Sequence, residues 1–212
     1  MNEVFKNDEL SKGFEPLRKE NKYDPYEIQA RWDKKHPDFL GYNCRITAFS
    51  LFSQYIEIQE SKPIKEAVPL DLYALQEDNS ALKGEEQKFA RFYEDIETTM
   101  TKDIEEHVNT IHEEWKKRGI VFSKQDKVSL ISVFFHSDID DENVLQIGHT
   151  GLLFDDKDGL YFFEKLAFQE PYQLIKFKNR KQLSKYLMEK YDVNENQPVS
   201  RPFIFENNHL LK

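Results

Sequence analysis

The stretch of sequence that decides the fold is residues 144–168, which read VLQIGHTGLLFDDKDGLYFFEKLAF. Both ends of this stretch are rich in β-branched and aromatic residues, and the polar run at residues 155–159 separates them. Such a pattern is typical of two strands joined by a short turn. The sequence therefore predicts an antiparallel hairpin at this point.

The rest of the C-terminal half repeats the strand pattern, with turn-forming residues between short apolar segments. The further predicted strands are residues 120–123, 128–135, 172–177 and 202–206. Residues 120–206 are therefore predicted to form mainly an antiparallel sheet, interrupted by one helix that Asn179 caps.

The N-terminal half carries helical patterns. In residues 42–59 the apolar side chains recur at steps of three and four, which predicts a buried helix. Gly41 ends the preceding segment and Asn43 fits the N-cap position, so Cys44 falls in the first helical turn. Two further helices are predicted, over residues 85–98 and from a cap at Thr101 to a stop at Gly119.

The length of 212 residues fits one globular domain, residues 1–212. Residues 1–40 are polar and are predicted to form an arm whose Trp32 and Phe39 dock on the body. Residues 60–84 are predicted to be a loop. Because helices come first and strands afterwards, we predict an α+β fold in which the N-terminal helices pack on the antiparallel sheet.

The composition excludes several classes of protein and site. The net charge of −9 argues against binding to nucleic acid or to anionic lipid. A single cysteine excludes an internal disulfide and any zinc site with several cysteines. The sequence contains no apolar stretch near the ~20 residues of a membrane span, no signal peptide and no glycine-rich phosphate loop. We predict no metal and no cofactor, and the oligomeric state stays open.

Cys44 is the most informative residue. The N-terminus of a helix favours a thiolate over a thiol, and Arg45 adds positive charge beside it. A thiol nucleophile also needs a base, usually a histidine held by a third polar residue. The alternative is a buried cysteine that acts as a small apolar side chain.

His149 is the predicted base. It lies between Gly148 and Gly151, and glycine in a strand often marks the close approach of a ligand or another backbone. The alternative is a half-buried strand histidine with a backbone partner. His107 and His112 are less suitable as ligands, because positions five apart on a helix do not share a face.

Glu164 is the predicted third member of the site. If the two strands of the hairpin pair across their turn, His149 and Glu164 become approximate cross-strand neighbours, and Glu164 can orient the imidazole towards the thiol. The alternative is a surface glutamate paired with Lys165 or with solvent. Gln169 is a further candidate, as an orienting amide or an oxyanion donor.

Several phrases of the sequence resemble one bacterial family. They are GYNCRIT at residues 41–47, WKKRGI at 115–120, ISVFF at 131–135, GHTG at 148–151 and EKLAFQEPYQ at 164–173. Over roughly residues 25–212 the chain resembles the domain-of-unknown-function family 4300. Members of that family are typically exported, often as lipoproteins of Gram-positive bacteria, so the resemblance implies an extracytoplasmic location. Because no signal peptide is visible, a cytoplasmic location stays open as the alternative.

A looser resemblance is to the NlpC and CHAP cell-wall peptidases of the papain-like group. In that group a cysteine opens a helix, a histidine lies on a later strand, and a polar residue on the next strand orients it. Cys44, His149 and Glu164 follow that order. The resemblance implies a papain-like fold with residues 60–118 as a helical insertion, and a thiol hydrolase that cleaves amide bonds in cell-wall peptide.

Two functions remain open at this point, and with them the question of whether the chain is an enzyme. The first is the thiol hydrolase. The alternative is a non-catalytic extracytoplasmic module that binds a ligand or a protein through an aromatic surface. Fast alkylation of the thiol near about pH 6 distinguishes the two, because a buried ordinary thiol reacts only after unfolding.

Overall fold

A computed structural model describes residues 23–59, 68–78, 80–139, 142–194 and 196–211. Within these ranges the protein is a mixed α+β structure with six α-helices and antiparallel strands, which confirms the predicted fold class. Most of the predicted arm, residues 1–22, and residues 60–67 of the predicted loop lie outside the described residues.

The elements follow one another in a mixed order along the chain. The helices are α1 (Pro25–Lys35), α2 (Cys44–Phe52), α3 (Pro69–Glu77), α4 (Glu86–Tyr93), α5 (Ile104–Arg118) and α6 (Arg180–Tyr191). The strands are β1 (Ile56–Glu57), β2 (Ile96–Glu97), β3 (Val121–Phe122), β4 (Val128–Ser137), β5 (Val144–Asp156), β6 (Gly159–Lys165), β7 (Tyr172–Phe177), β8 (Phe203–Glu206) and β9 (His209–Leu210).

The main sheet has seven antiparallel strands in the described part of the chain. Their order is β7-β6-β5-β4-β8-β9, and β2 pairs with the beginning of β5. β1 and β3 form a separate pair. The predicted hairpin is confirmed as β5 and β6, and the strands predicted downstream of it are confirmed as β7 and β8.

Two apolar clusters cover the opposite faces of this sheet. The first joins residues of α2, α4 and α5, such as Phe49 and Trp115, to strand residues such as Phe134. The second joins Leu183 and Leu187 of α6 to the alternate strand positions. Because side chains of a strand alternate between its faces, the sheet is buried on both sides.

The structure confirms the predicted cap at three helix ends. The side chains of Asn43 and Asn179 accept hydrogen bonds from the first turns of α2 and α6, and Gly119 ends α5 with a left-handed conformation. The cap of α5 is Asp103 rather than Thr101, since the Asp103 carboxylate accepts from the Glu105 N–H.

Three predicted segments need correction. The predicted loop contains α3, because Pro69 occupies the first helical position, where a missing N–H costs nothing. The helix predicted over residues 42–59 ends at Phe52, and the helix predicted over residues 85–98 ends at Tyr93. In each case two of the residues that follow pair with a distant strand, Ile56–Glu57 as β1 and Ile96–Glu97 as β2, which local periodicity does not record.

The predicted layer of N-terminal helices on the sheet holds only in part. α2 contacts β5 and β6. α1, in contrast, contains no buried residue, so it adds little to the core. In the described ranges no helix combines the length and the apolar character that crossing a bilayer requires.

Candidate active site

Cys44 is the first residue of α2. The Asn43 side chain caps this helix by accepting a hydrogen bond from the Ile46 N–H at 3.1 Å. The cap leaves the N–H groups of the first turn directed out of the helix end, where the positive end of the helix dipole lies. The sulfur is therefore attached at the point of the helix that best stabilises a negative charge.

The first turn of α2 lies against an unpaired edge of β5. β2 pairs with β5 at Val144 and Leu145, and β6 pairs with it from Gly151 onwards. Among the described strands none covers this edge between the two pairings. Arg45 instead donates to the Ile147 carbonyl oxygen at 3.3 Å, and the Thr150 backbone hydrogen-bonds to the Cys44 thiol.

A β-bulge immediately before His149 sets the direction of its side chain. Ile147 pairs with Phe134 and His149 pairs with Val133, so Gly148 is the extra residue. A bulge reverses the alternation of side chains along the strand. Ile147 consequently belongs to the first apolar cluster, whereas Val133, the partner of His149, belongs to the second.

His149 connects the thiol to a carboxylate. Its Nε2 atom lies 2.5 Å from Oε2 of Glu164. The imidazole also forms a side-chain hydrogen bond with Cys44, which leaves Nδ1 as the ring nitrogen that faces the sulfur. The Tyr191 ring stacks on the imidazole with 5.0 Å between the centroids. Sulfur, imidazole and carboxylate thus form one hydrogen-bonded chain.

Glu164 is held by two more donors on its other oxygen. Oε1 accepts from Nε2 of Gln173 at 2.6 Å and from the Tyr186 hydroxyl at 2.5 Å. Gln173 lies directly opposite Glu164 in the pairing of β6 with β7, and Tyr186 comes from α6. Both carboxylate oxygens are therefore hydrogen-bonded, which fixes the plane of the group.

Charge and burial shift the pKa values of the three hydrogen-bonded residues in opposite directions. Burial alone would raise the pKa of the Cys44 thiol, but the hydrogen bond and charge of His149, together with Arg45, outweigh it and the pKa is lowered. Burial alone would lower the pKa of His149, but Cys44 and Glu164 raise it to about 9. The pKa of Glu164 is lowered because His149 and Tyr186 outweigh its burial. The arrangement therefore favours a thiolate–imidazolium pair beside an ionised carboxylate.

A buried ion pair anchors the start of α2. Asp71 on α3 is fully buried and accepts from the Arg45 guanidinium at 2.6 and 3.0 Å and from the Asn43 side chain at 2.8 Å. The residues on both sides of Cys44 are therefore attached to the same carboxylate. This contact fixes the helix end against β5.

The turn that follows β6 lies near the site, because β6 ends at Lys165, directly after Glu164. Lys165 is buried, and its ammonium group donates to the carbonyl oxygens of Phe168, at 2.9 Å, and of Glu170. Burial lowers the pKa of Lys165 to about 8. Tyr23, ahead of α1, donates to the Glu170 carboxylate at 2.5 Å and so attaches the N-terminal segment to the same turn.

The structure brings three of the four predicted residues together. Cys44, His149 and Glu164 are in contact, and they are 6 %, 1 % and 1 % exposed. Gln169 is half-buried in the turn after β6, and no hydrogen bond of its amide to the other three is found among the described residues. Its role stays a prediction, whereas Gln173 is the glutamine whose amide contacts Glu164.

Sequence reasoning missed the contacts of Gln173, Asp71 and Tyr186. A signal existed for Gln173, because extending the predicted pairing to the next strand puts it opposite Glu164. For Asp71 and Tyr186 no local signal existed, since each reaches the site from a distant helix.

The other histidines lie elsewhere. His107 and His136 are buried with ring centroids 4.7 Å apart, and their ring nitrogens have partners in Thr98, Thr101, Asn143 and Ser200. His112 is exposed and contacts the Asn208 carbonyl. Where the structure describes the chain, no group of three or more His, Cys, Asp or Glu side chains is placed to hold a metal ion.

Comparison with known proteins gives one match. The family described as a domain of unknown function, DUF4300, matches residues 1–211. Among the curated proteins and among the solved structures, no match was found. The comparisons therefore do not support the predicted relationship to the papain-like NlpC and CHAP peptidases.

Proposed function

The chain belongs to the DUF4300 family, whose function is unknown, and we propose that it is a thiol hydrolase of amide bonds. Cys44 is the nucleophile in this proposal, His149 is the general base and acid, and Glu164 orients the imidazole. The observation that carries the proposal is the hydrogen-bonded chain from the Cys44 thiol through His149 to Glu164, with 2.5 Å between Nε2 and Oε2.

The reaction begins with the thiolate. Sγ of Cys44 attacks the carbonyl carbon of the amide, and the carbonyl oxygen becomes an oxyanion. The Cys44 N–H, at the start of α2, is the first donor to that oxyanion, and Gln169 stays a predicted second donor. The C–N bond then breaks, and the departing amine takes the proton from Nδ1 of His149.

Water completes the cycle. His149, now neutral, accepts a proton from a water molecule that attacks the thioester carbonyl. The C–S bond breaks, and the acyl group leaves as a carboxylic acid. The sulfur becomes a thiolate again beside the protonated imidazole. One water is consumed and one amide bond is cleaved, so no other reactant is required.

The proposed substrate is a cell-wall peptide, and the proposed location is extracytoplasmic. Both come from resemblance, the substrate from the NlpC and CHAP peptidases and the location from exported members of the family. The acidic chain also favours substrates other than nucleic acids, since a net charge of −9 repels phosphate backbones.

One observation favours the alternative of a non-catalytic binding module. Cys44 is only 6 % exposed, and Tyr191 covers the imidazole of His149. A substrate carbonyl reaches the sulfur only if the surrounding side chains move. In the non-catalytic alternative the three residues are a buried polar network, and the thiol stays closed to reagents.

The direct test measures release of new amino groups from peptidoglycan stem peptides by the full chain. We expect Cys44→Ser and His149→Asn to lower the rate by at least about 1,000-fold. His112→Asn is the matched control, because His112 is exposed and remote, and it should retain the full rate. A rate in Cys44→Ser equal to that of the unchanged chain would overturn the proposal.

Alkylation separates the hydrolase from the alternative. The chain has one cysteine, so iodoacetamide uptake reports Cys44 alone. A hydrolase should be labelled while folded at about pH 6, faster than an ordinary thiol. Labelling that needs denaturant, together with no amide cleavage, would support the binding module instead.

A further inference from the structure

The Glu164 carboxylate is buried and receives hydrogen bonds on both oxygens. Oε2 faces His149 at 2.5 Å. Oε1 accepts from Gln173 at 2.6 Å and from Tyr186 at 2.5 Å. A buried carboxylate without donors would lose its charge or turn away from the imidazole. The two donors to Oε1 therefore help to keep the Glu164 carboxylate charged and directed at the imidazole.

The proton of the Tyr186 hydroxyl has a fixed direction. The hydroxyl oxygen accepts from Nε2 of Gln173 at 3.1 Å and from Nζ of Lys190 at 3.4 Å. Because both of these groups are donors, the single hydroxyl proton is left for Oε1 of Glu164. Gln173 divides its two N–H groups between Glu164 and Tyr186. Both N–H groups of the Gln173 amide and the Tyr186 hydroxyl proton are thereby each assigned to one acceptor.

We infer that Tyr186 is a positioning residue, which acts with Gln173 to hold Glu164 so that Oε2 stays on Nε2 of His149. α6 thereby helps to position the reacting residues, although none of the contacts described above joins it to Cys44. This inference rests on the proposed function, because positioning matters for the reaction only if Cys44 performs it.

Packing allows Tyr186 to hold this geometry. Its ring lies 5.5 Å from the Phe177 ring, centroid to centroid, on the face of the sheet that α6 covers. The Lys190 ammonium lies 5.5 Å from the centroid of the Tyr186 ring and adds positive charge at the outer end of the network. Burial and the charge of Glu164 raise the pKa of Tyr186, so the hydroxyl stays a donor at neutral pH.

The test measures the pKa of the His149 imidazole rather than the rate of the reaction. The pKa of His149 is measured by NMR of labelled histidine in a Cys44→Ala chain, with and without Tyr186→Phe. We expect Tyr186→Phe to lower this pKa by about one unit, a tenfold change, since Oε2 is no longer held on Nε2 and this loss of orientation outweighs the greater basicity of a carboxylate with one donor fewer. A merely structural tyrosine would change thermal stability and leave the imidazole titration in place.

Tyr161→Phe is the matched control. The Tyr161 hydroxyl also donates to a carboxylate, that of Asp158 at 2.9 Å, but on the exposed end of β6. This control should leave the pKa of His149 unchanged. Gln173→Met is a second variant, in case Tyr186→Phe does not fold, because it removes the other donor to Oε1 and should lower the pKa in the same direction.

The two proposals fail separately. Within the Cys44→Ala background, a His149 pKa that Tyr186→Phe and Gln173→Met leave unchanged or raise would overturn the positioning inference, whether or not the protein cleaves amides. A lowered pKa in these variants supports the inference even where no amide cleavage occurs, in which case the hydrolase proposal is the one that fails. If cleavage does occur, Tyr186→Phe should lower kcat about tenfold and leave KM unchanged.

Discussion

Nε2 of His149 lies 2.5 Å from Oε2 of Glu164, although the residue directly opposite Glu164 is Gly151. His149 and Glu164 are therefore diagonal neighbours across β5 and β6. Diagonal positions are about 7–8 Å apart between strands, a distance that only long side chains bridge. Gly151 has no side chain between them, so the carboxylate can reach the imidazole.

The diagonal geometry predicts that Glu164→Asp disrupts the site even though it keeps the charge. The aspartate side chain is one methylene shorter, so its carboxylate should lose the contact with His149 or those with Gln173 and Tyr186. We expect the alkylation of Cys44 below about pH 7 to slow at least fivefold, because the imidazolium loses its partner. Glu189→Asp, on the exposed face of α6, is the control and should react like the unchanged chain. Equal rates in all three chains would contradict the geometry.

Hydrolysis should have a bell-shaped pH profile. The reaction needs Cys44 without its proton and His149 with its proton. Since the pKa of Cys44 is lowered from its usual range and that of His149 is raised to about 9, the two conditions hold together in a window that begins below the ordinary thiol pKa and ends near pH 9. Below this window the thiolate gains a proton, and above about pH 9 the imidazolium loses one, so kcat/KM should fall on both sides. A rate that keeps rising beyond pH 9 would show that the proton on His149 is not required.

Asp71→Asn should destabilise the protein by about 3 kcal/mol. The change leaves the partly buried Arg45 without its counter-charge. It also replaces one acceptor oxygen by an NH2 group, which would face the N–H donor of Arg45 or of Asn43. Urea denaturation measures the free energy of unfolding. Glu189→Gln breaks the exposed pair with Lys185 and should cost less than about 0.5 kcal/mol. A loss for Asp71→Asn as small as that of the control would mean that the pair does not anchor α2.

Gly151→Ala should move the site as well as destabilise it. A Cβ atom at this position would lie 2.5 Å from the Phe162 ring and 2.7 Å from the Phe163 carbonyl oxygen, and a backbone oxygen cannot move aside. We expect a cost of about 2 kcal/mol and a shift of the alkylation midpoint of Cys44 towards the ordinary thiol range. At Gly84 a Cβ meets nothing within 4 Å, so Gly84→Ala should cost about 1 kcal/mol through its positive φ alone and leave the midpoint in place.

Tyr23→Phe should open access to the thiol without changing its ionisation. The Tyr23 hydroxyl donates to Glu170 and so attaches the segment ahead of α1 to the turn after β6, the strand that carries Glu164. Burial, the hydrogen bond to Glu170 and the charges of Glu170 and Glu164 raise the pKa of Tyr23. We expect the plateau rate of alkylation to rise several-fold with an unchanged pH midpoint. Tyr26→Phe is the control, because Tyr26 is 81 % exposed on α1. An unchanged or slower plateau, or a shifted midpoint, would contradict the prediction that Tyr23 restricts access to the thiol.

Much of the fold follows from local patterns in the sequence. Alternating and aromatic-rich segments predict the hairpin of β5 and β6, because a strand with buried faces needs that pattern wherever it occurs. Asn43 predicts the start of α2, since a side-chain acceptor stabilises a helix end locally. The short strands β1 and β2 escaped prediction because their partners, rather than their own residues, make them strands.

By itself the sequence determined which groups are available: one thiol at a helix start, a histidine between glycines, and a glutamate on the next strand. Only the tertiary structure decided that they meet. Cys44 and His149 are 105 positions apart, and contact requires the open edge of β5 and the bulge at Gly148. The support of Glu164 by α6 is likewise a matter of packing. Such contacts depend on where distant elements fit against each other, and no local pattern encodes that fit.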